Sequence, residues 1–127
     1  MNTITKRLEN IKKLQAKRLE NEDYWDEINE LMLTELKDIL TIEPQNTSAL
    51  INLGAVLSDS GENENALAVL KMAVDLGSED KNLYINLAIV MIDLGMHAEE
   101  YHEYLEISEN FSEDPLTFKA YFDPQSH

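Results

Sequence analysis

The chain has 127 residues but no cysteine, one tryptophan, three prolines, four glycines and only 10 basic residues against 25 acidic ones. Each scarcity excludes something. Without cysteine there is no disulfide, no thiolate nucleophile and no cysteine metal site, although compartment stays open because proteins of either environment lack the residue. The longest strictly apolar run, Leu87 to Ile92, is far shorter than the ~20 residues that cross a bilayer. The four glycines all have turn or packing explanations, so no phosphate-binding glycine loop and no serine nucleophile elbow is present. Histidine is as sparse. His97 and His102 are five apart, wrong for one helical face, and Glu99 with His102 supplies half of a di-metal set; His127 is terminal. The expectation is a chain with no metal, no cofactor and no convergent catalytic groups, and therefore not an enzyme.

What the chain has in excess is negative charge, unevenly placed. Residues 1–18 carry six basic side chains (Lys6, Arg7, Lys12, Lys13, Lys17, Arg18) against Glu9, a surplus of five. Over the remaining residues 24 acids face Lys37, Lys71, Lys81 and Lys119, a deficit of 20. Such a field repels nucleic-acid phosphate and anionic lipid and speeds encounter with a cationic protein. Acidity also serves solubility alone. The opening residues alternate charge with isolated Ile and Leu and lack the apolar core of a secretory signal, so a cytoplasmic location is expected.

Apolar residues recur at helical spacing almost throughout. Ile4, Leu8, Ile11 and Leu14 predict an amphipathic helix from Thr3 to Leu19. Asn21-Glu22-Asp23 supplies capping residues for a second, from about Tyr24 to Ile42, closed by Pro44. Trp25 at its start is read as locking that helix to a neighbour rather than as an exposed anchor. Thr47 or Ser48 can cap a third helix that stops at Gly61. A fourth runs to Gly77, and further helices at about 81–94 and 97–110 are divided by Gly95. No segment alternates with period two long enough to suggest a strand. The fold class is all-α, one domain of about six to seven helices.

Two stretches match at an offset of 34 residues. Leu50–Gly61 (LINLGAVLSDSG) and Tyr84–Gly95 (YINLAIVMIDLG) share Ile, Asn, Leu, Val, Asp and Gly in one register. A fixed period of this size marks units that bury their apolar faces only by stacking on each other. The segment 47–80 resembles a full tetratricopeptide repeat: Leu50 at the aromatic position, Leu53-Gly54 as the Leu-Gly pair, Leu57 at the Tyr position, Gly61 in the turn, then Ala66, Leu70 and Ala73. The segment 81–114 keeps Tyr84, Leu87, Ala88, Met91, Gly95 and Tyr104, but Glu100 and Ile107 stand where alanines are usual. Residues 1–46 end like a preceding, degenerate repeat (Leu36, Ile39, Ile42, Glu43-Pro44). Phe118 and Tyr121 fall where a next repeat would place its aromatic and leucine, so 115–127 looks like a truncated capping helix. The resemblance implies a right-handed superhelical stack of antiparallel helix pairs, an α-solenoid.

It also implies a concave groove lined by the first helix of each repeat, which in this family holds an extended peptide or a helix. Carried over by position, the groove residues are Ser48, Ile51, Asn52, Ala55, Ser58 and Asp59, with Asn82, Ile85, Asn86, Ile89, Ile92 and Asp93. Asn52 and Asn86, one repeat apart, can each donate to and accept from a peptide backbone. The lysines and arginines with which some members clamp acidic chaperone tails are missing here. Asp59 and Asp93 stand at the groove edge instead, so an acidic tail would be repelled. A second acidic face comes from Glu99, Glu103 and Glu106 with Tyr104 beside it. The plain alternatives are that the isoleucines are core and the glutamates a solvated face.

The function expected is non-catalytic capture of a basic or amphipathic partner protein. An immunity protein masking a basic nuclease toxin draws on the charge, and a chaperone of a secreted protein draws on the groove. A structural alternative is a self-assembling scaffold, a homo-oligomer whose repeats stack end to end or whose basic first helix meets the acidic body of another copy. Nucleic acid and membrane are not expected partners. Replacing Asn52 and Asn86, or reversing Asp59 and Asp93 to Lys, is expected to weaken capture without loss of helicity.

Overall fold

Residues 3–122 are described in the computed structural model of the chain; His127 and residues 123–127 of the expected capping segment lie outside them. The described residues hold six α-helices and no strand: α1 Thr3–Glu20, α2 Trp25–Ile42, α3 Thr47–Asp59, α4 Asn63–Asp75, α5 Lys81–Asp93 and α6 Ala98–Ser108. A single 3-10 turn, Glu22–Tyr24, joins α1 to α2, and the Asn21 carboxamide accepts from the Asp23 amide within it. Asn46 caps α3 by accepting from Ala49 N at 2.9 Å, one residue before the expected Thr47 or Ser48, and Asp80 caps α5 by accepting from Asn82 N at 2.9 Å. Carboxamide and carboxylate are the strongest caps, so the earlier residue prevails.

Helices α3 and α5 end alike because Gly61 and Gly95 adopt φ of +82° and +72°. Only glycine enters that region at no steric cost, and the chain then turns back so that Glu62 N reaches Leu57 O and Met96 N reaches Met91 O. Short turns bring each helix against its predecessor, and α3 also touches α5 directly. Gly54 sets the closeness of α3 to α4, since a Cβ there would stand 2.5 Å from Cγ and Cδ2 of the buried Leu70.

The core draws on Ile4, Leu8 and Ile11 of α1, Met32, Leu36 and Ile39 of α2, and Leu70 and Ala73 of α4. Helix α3 is different in kind: every residue from Ala49 to Ser58 is buried, and α5 is nearly so from Asn82 to Met91. A helix buried all round must be covered on every side. Helices α2, α4 and α6 cover part of this surface, and the C-terminal tail covers more. Helix α6 is the contrary case, with Ser108 its only buried residue. Its hold on α5 is aromatic: Tyr84 stacks on Tyr104 at 6.1 Å and meets Phe111 at 5.6 Å.

The tail is where the structure departs most from expectation. Beyond Ser108 the described residues contain no helix. The chain doubles back so that Lys81 N donates to Ser112 O at 3.0 Å, turns at Pro115, and runs out extended through residue 122. Over the described residues 115–122 the expected capping helix is not formed. The Asp114 carboxylate accepts from Leu116 N at 2.8 Å, which sets a turn, and the later peptide groups are satisfied by side chains of α3 and α5.

Candidate functional site

Residues 116–121 of the same chain lie along α3 and α5, against the face that the resemblance assigns to a ligand groove. Asn52 and Asn86 hold them through matching pairs of hydrogen bonds. Asn52 Nδ2 donates to Leu116 O at 2.9 Å while its Oδ1 accepts from Phe118 N at 3.1 Å. Asn86 Nδ2 donates to Phe118 O at 3.1 Å while its Oδ1 accepts from Ala120 N at 2.8 Å. Each amide thus clips the carbonyl of residue i and the N–H of residue i+2, so an offset of 34 residues in the body advances the tail by two residues, about 6.6–6.8 Å of extended chain. Both asparagines are fully buried, and neither clip touches a side chain of the tail.

Side chains of the tail are read elsewhere. The Thr117 hydroxyl accepts from Asn82 Nδ2 at 3.0 Å and donates to Asp80 Oδ2 at 2.7 Å. Asp80 therefore caps α5 and fixes the tail together, its Oδ1 also accepting from Asp114 N at 3.3 Å. Phe118 and Ala120 enter the core cluster that contains Ile51, Ala55 and Ile89, whereas Lys119 between them is exposed and pairs with Glu113 at 2.6 Å. Lys119 holds the Glu113 carboxyl below its usual range. Of the expected groove residues, Ala55 and Ile89 are thus buried core under the tail.

Asp59, expected on an acidic border, is an internal lock instead. Its side chain has no exposed surface and pairs with Arg18, likewise fully buried, at 2.6 Å; its other oxygen accepts from Tyr121 N at 2.7 Å. Burial lifts the Asp59 carboxyl to about 6, against the pull of Arg18 and of the Tyr121 amide, and nearby Asp93 adds to the lift. Arg18 in turn bonds Asn29 Oδ1 and lies 4.2 Å from the centroid of the Trp25 ring, against which the Tyr121 ring stands edge-on at 5.6 Å. Reversal of Asp59 to Lys is consequently no test of a groove edge, because it would bury two cations together. Asp93 is half-buried beside Asp59.

Helix α1 spends part of its basic charge within the chain. Arg7 pairs with Glu35 at 3.0 Å and Asp38 at 2.6 Å, and Lys12 Nζ donates to Pro115 O at 2.7 Å. Between α1 and the tail lies an open cavity of about 350 Å³, lined by Lys12, Gln15 and Leu19 on one side and by residues 117–122 on the other. On the far side of the body Glu99, Glu103 and Glu106 are exposed on α6, but Tyr104 turns inward onto Tyr84 and is not an anchor beside them. Among the described residues no group of three or more His, Cys, Asp or Glu side chains converges as a metal site would require, and no helix is long and apolar enough to cross a membrane.

Sequence reading missed Asp80, Thr117 and Arg18. The signal for the first two was present: Phe118-Lys119-Ala120-Tyr121 alternates in and out, and α3 and α5 are too apolar all round to face an empty groove. Arg18 had none, since its partners lie 11 and 41 residues away. Compared with known proteins, the chain matches no family model, and no curated protein is detectably similar to it.

Proposed function

We propose that this chain is a non-catalytic protein-binding module of the tetratricopeptide kind, a right-handed stack of helix pairs whose groove takes an extended segment of a partner protein. The observation that carries the reading is the pair of backbone clips made by Asn52 and Asn86 one repeat apart. Side-chain amides directed at both the carbonyl and the N–H of an extended chain recognise polypeptide as such. The surplus of acids on the body favours a basic or amphipathic partner, encountered quickly and released by salt. In that setting an inhibitor of a basic nuclease toxin uses the charge, and a chaperone of a secreted protein uses the groove.

The test separates groove from flank. Partner capture on immobilised full chain is compared with two variants, Asn52→Ala/Asn86→Ala and Glu99→Lys/Glu103→Lys/Glu106→Lys, each first shown by circular dichroism to keep its helicity. A partner lost from the asparagine variant and retained by the charge-reversed one establishes the groove. Loss from the charge variant alone assigns binding to α6. Unchanged capture by both removes the proposal. A dimer that dissolves as salt rises would point to self-association through α1 instead.

A further inference from the structure

We infer that residues 116–121 are a displaceable stand-in for the ligand, and that the groove's partner segment is an extended, neutral or basic stretch carrying a hydroxyl residue, an aromatic and, two residues after that aromatic, a small residue. This rests on the groove reading above and adds to it both a sequence pattern and a competitor. The pattern comes from what each tail position meets. At the Thr117 position a hydroxyl sits between the Asp80 carboxylate and the Asn82 amide, at 2.7 and 3.0 Å. A residue without a hydroxyl would leave the buried Asp80 oxygen short of a donor. Phe118 and Ala120 are 5% and 6% exposed and both belong to the core cluster, so the first position is filled by a large ring and the second by a methyl group. The Lys119 position points outward, where its side chain pairs with Glu113. The acidic body sets its preference toward neutral or basic residues.

Three features make the tail removable. Its hydrogen bonds to α3 and α5 are made mostly by its backbone, so a second extended chain can reproduce them group for group. Residues 109–122 contain no helix, so their departure breaks none. Apart from the Trp25 ring against Tyr121, the tail's outer side faces the open cavity of about 350 Å³ below α1, and Tyr121 and Phe122 at its end are 51% and 37% exposed. A tethered tail competes at high effective concentration, so the apparent affinity for a partner is reduced by the fraction of time the groove is closed. Loosening the tail must therefore tighten binding in trans.

The probe is a synthetic peptide of residues 115–122 with neutral blocked ends, bearing Lys119→Gln, which removes its own trypsin site. Its binding is measured by fluorescence anisotropy to the full chain and to the tail variant Thr117→Ala/Phe118→Ala. The tail variant is expected to bind at least tenfold more tightly than the unaltered chain, and a peptide with Phe118→Ala to bind at least tenfold more weakly than the parent peptide. If the tail variant does not fold, the unaltered chain suffices: excess peptide should displace the tail and accelerate trypsin cleavage after Lys119. No binding to the loosened variant, or a cleavage rate that does not change with peptide up to millimolar concentration, overturns the inference. Should the asparagine pair still be required for partner capture in that case, the groove reading stands and the tail is a permanent part of the fold; loss of both results fails both. A chain that dimerises at the concentrations used, with peptide dissolving the dimer, would make a second copy the trans occupant and also overturn the proposal.

Discussion

Replacing Asn86 by alanine removes both bonds of one clip, to Phe118 O at 3.1 Å and from Ala120 N at 2.8 Å. Each partner left buried and unsatisfied costs about 1–3 kcal/mol. The tail escapes that penalty by leaving the groove, and the loss is then capped by the burial of its side chains, about 1.5–3 kcal/mol for a ring such as Phe118. The free energy of local opening should consequently fall by about 2–3 kcal/mol, and at tenfold per 1.4 kcal/mol the Ala120 amide should exchange with solvent roughly 30- to 150-fold faster. Amide hydrogen exchange followed by NMR reads this directly. Leu87 and Val56, inside α5 and α3, serve as internal references and should change by no more than a few fold. Asn86→Asp keeps the acceptor for Ala120 N but sets a negative charge against Phe118 O, so it should act in the same direction. An Ala120 rate altered less than threefold would refute the clip. Equal acceleration at Leu87 would mean that Asn86 supports the helix rather than the tail.

Gly54→Ala drives a Cβ to 2.5 Å from the buried Leu70 side chain, an overpacking that costs about 1–3 kcal/mol and should lower the melting temperature by roughly 4–12 °C; an unchanged melt would mean that α3 and α4 part without strain. Arg18→Ala or Asp59→Ala alone leaves one buried charge unpaired and should destabilise by about 3–5 kcal/mol in urea unfolding. The double variant should cost clearly less than the two single costs together, and strict additivity would argue against a coupled pair. Because the folded-state Asp59 carboxyl sits near 6, above its ordinary 3.8, the folded chain holds this proton more tightly than the unfolded chain. Its contribution to stability is therefore greatest below about pH 4 and falls by about 3 kcal/mol as pH rises toward 6, then stays level. Unfolding midpoints for the unaltered chain and Asp59→Asn, compared from pH 4 to 7, isolate this slope from the other carboxyls; a difference that does not change with pH would refute it.

Local chemistry made the helices legible. Apolar spacing, the caps near Asn21, Asn46 and Asp80 and the stops at Gly61 and Gly95 are decided within a few residues of chain, so the sequence alone placed every helix to within about two residues, the usual uncertainty of such boundaries. The 34-residue match likewise put Asn52 and Asn86 on equivalent turns of neighbouring helices, with the right chemical capacity for extended backbone. What lies opposite those amides was not a local question. Phe118 is 66 residues from Asn52 and Lys12 is 103 from Pro115, and no periodicity carries information over such distances. Phe118 and Tyr121 matched a helix at repeat spacing, yet the non-helical tail won because α3 and α5 offered peptide-satisfying amides and an apolar surface that had to be covered. Asp59 shows the same division. Sequence established it as the counterpart of Asp93, one repeat apart, but only tertiary packing brought Arg18 and the Tyr121 amide to it, turning an expected rim charge into a buried pair. Covalent order determined which elements form; the need to cover every buried face and satisfy every buried polar group determined what fills the groove.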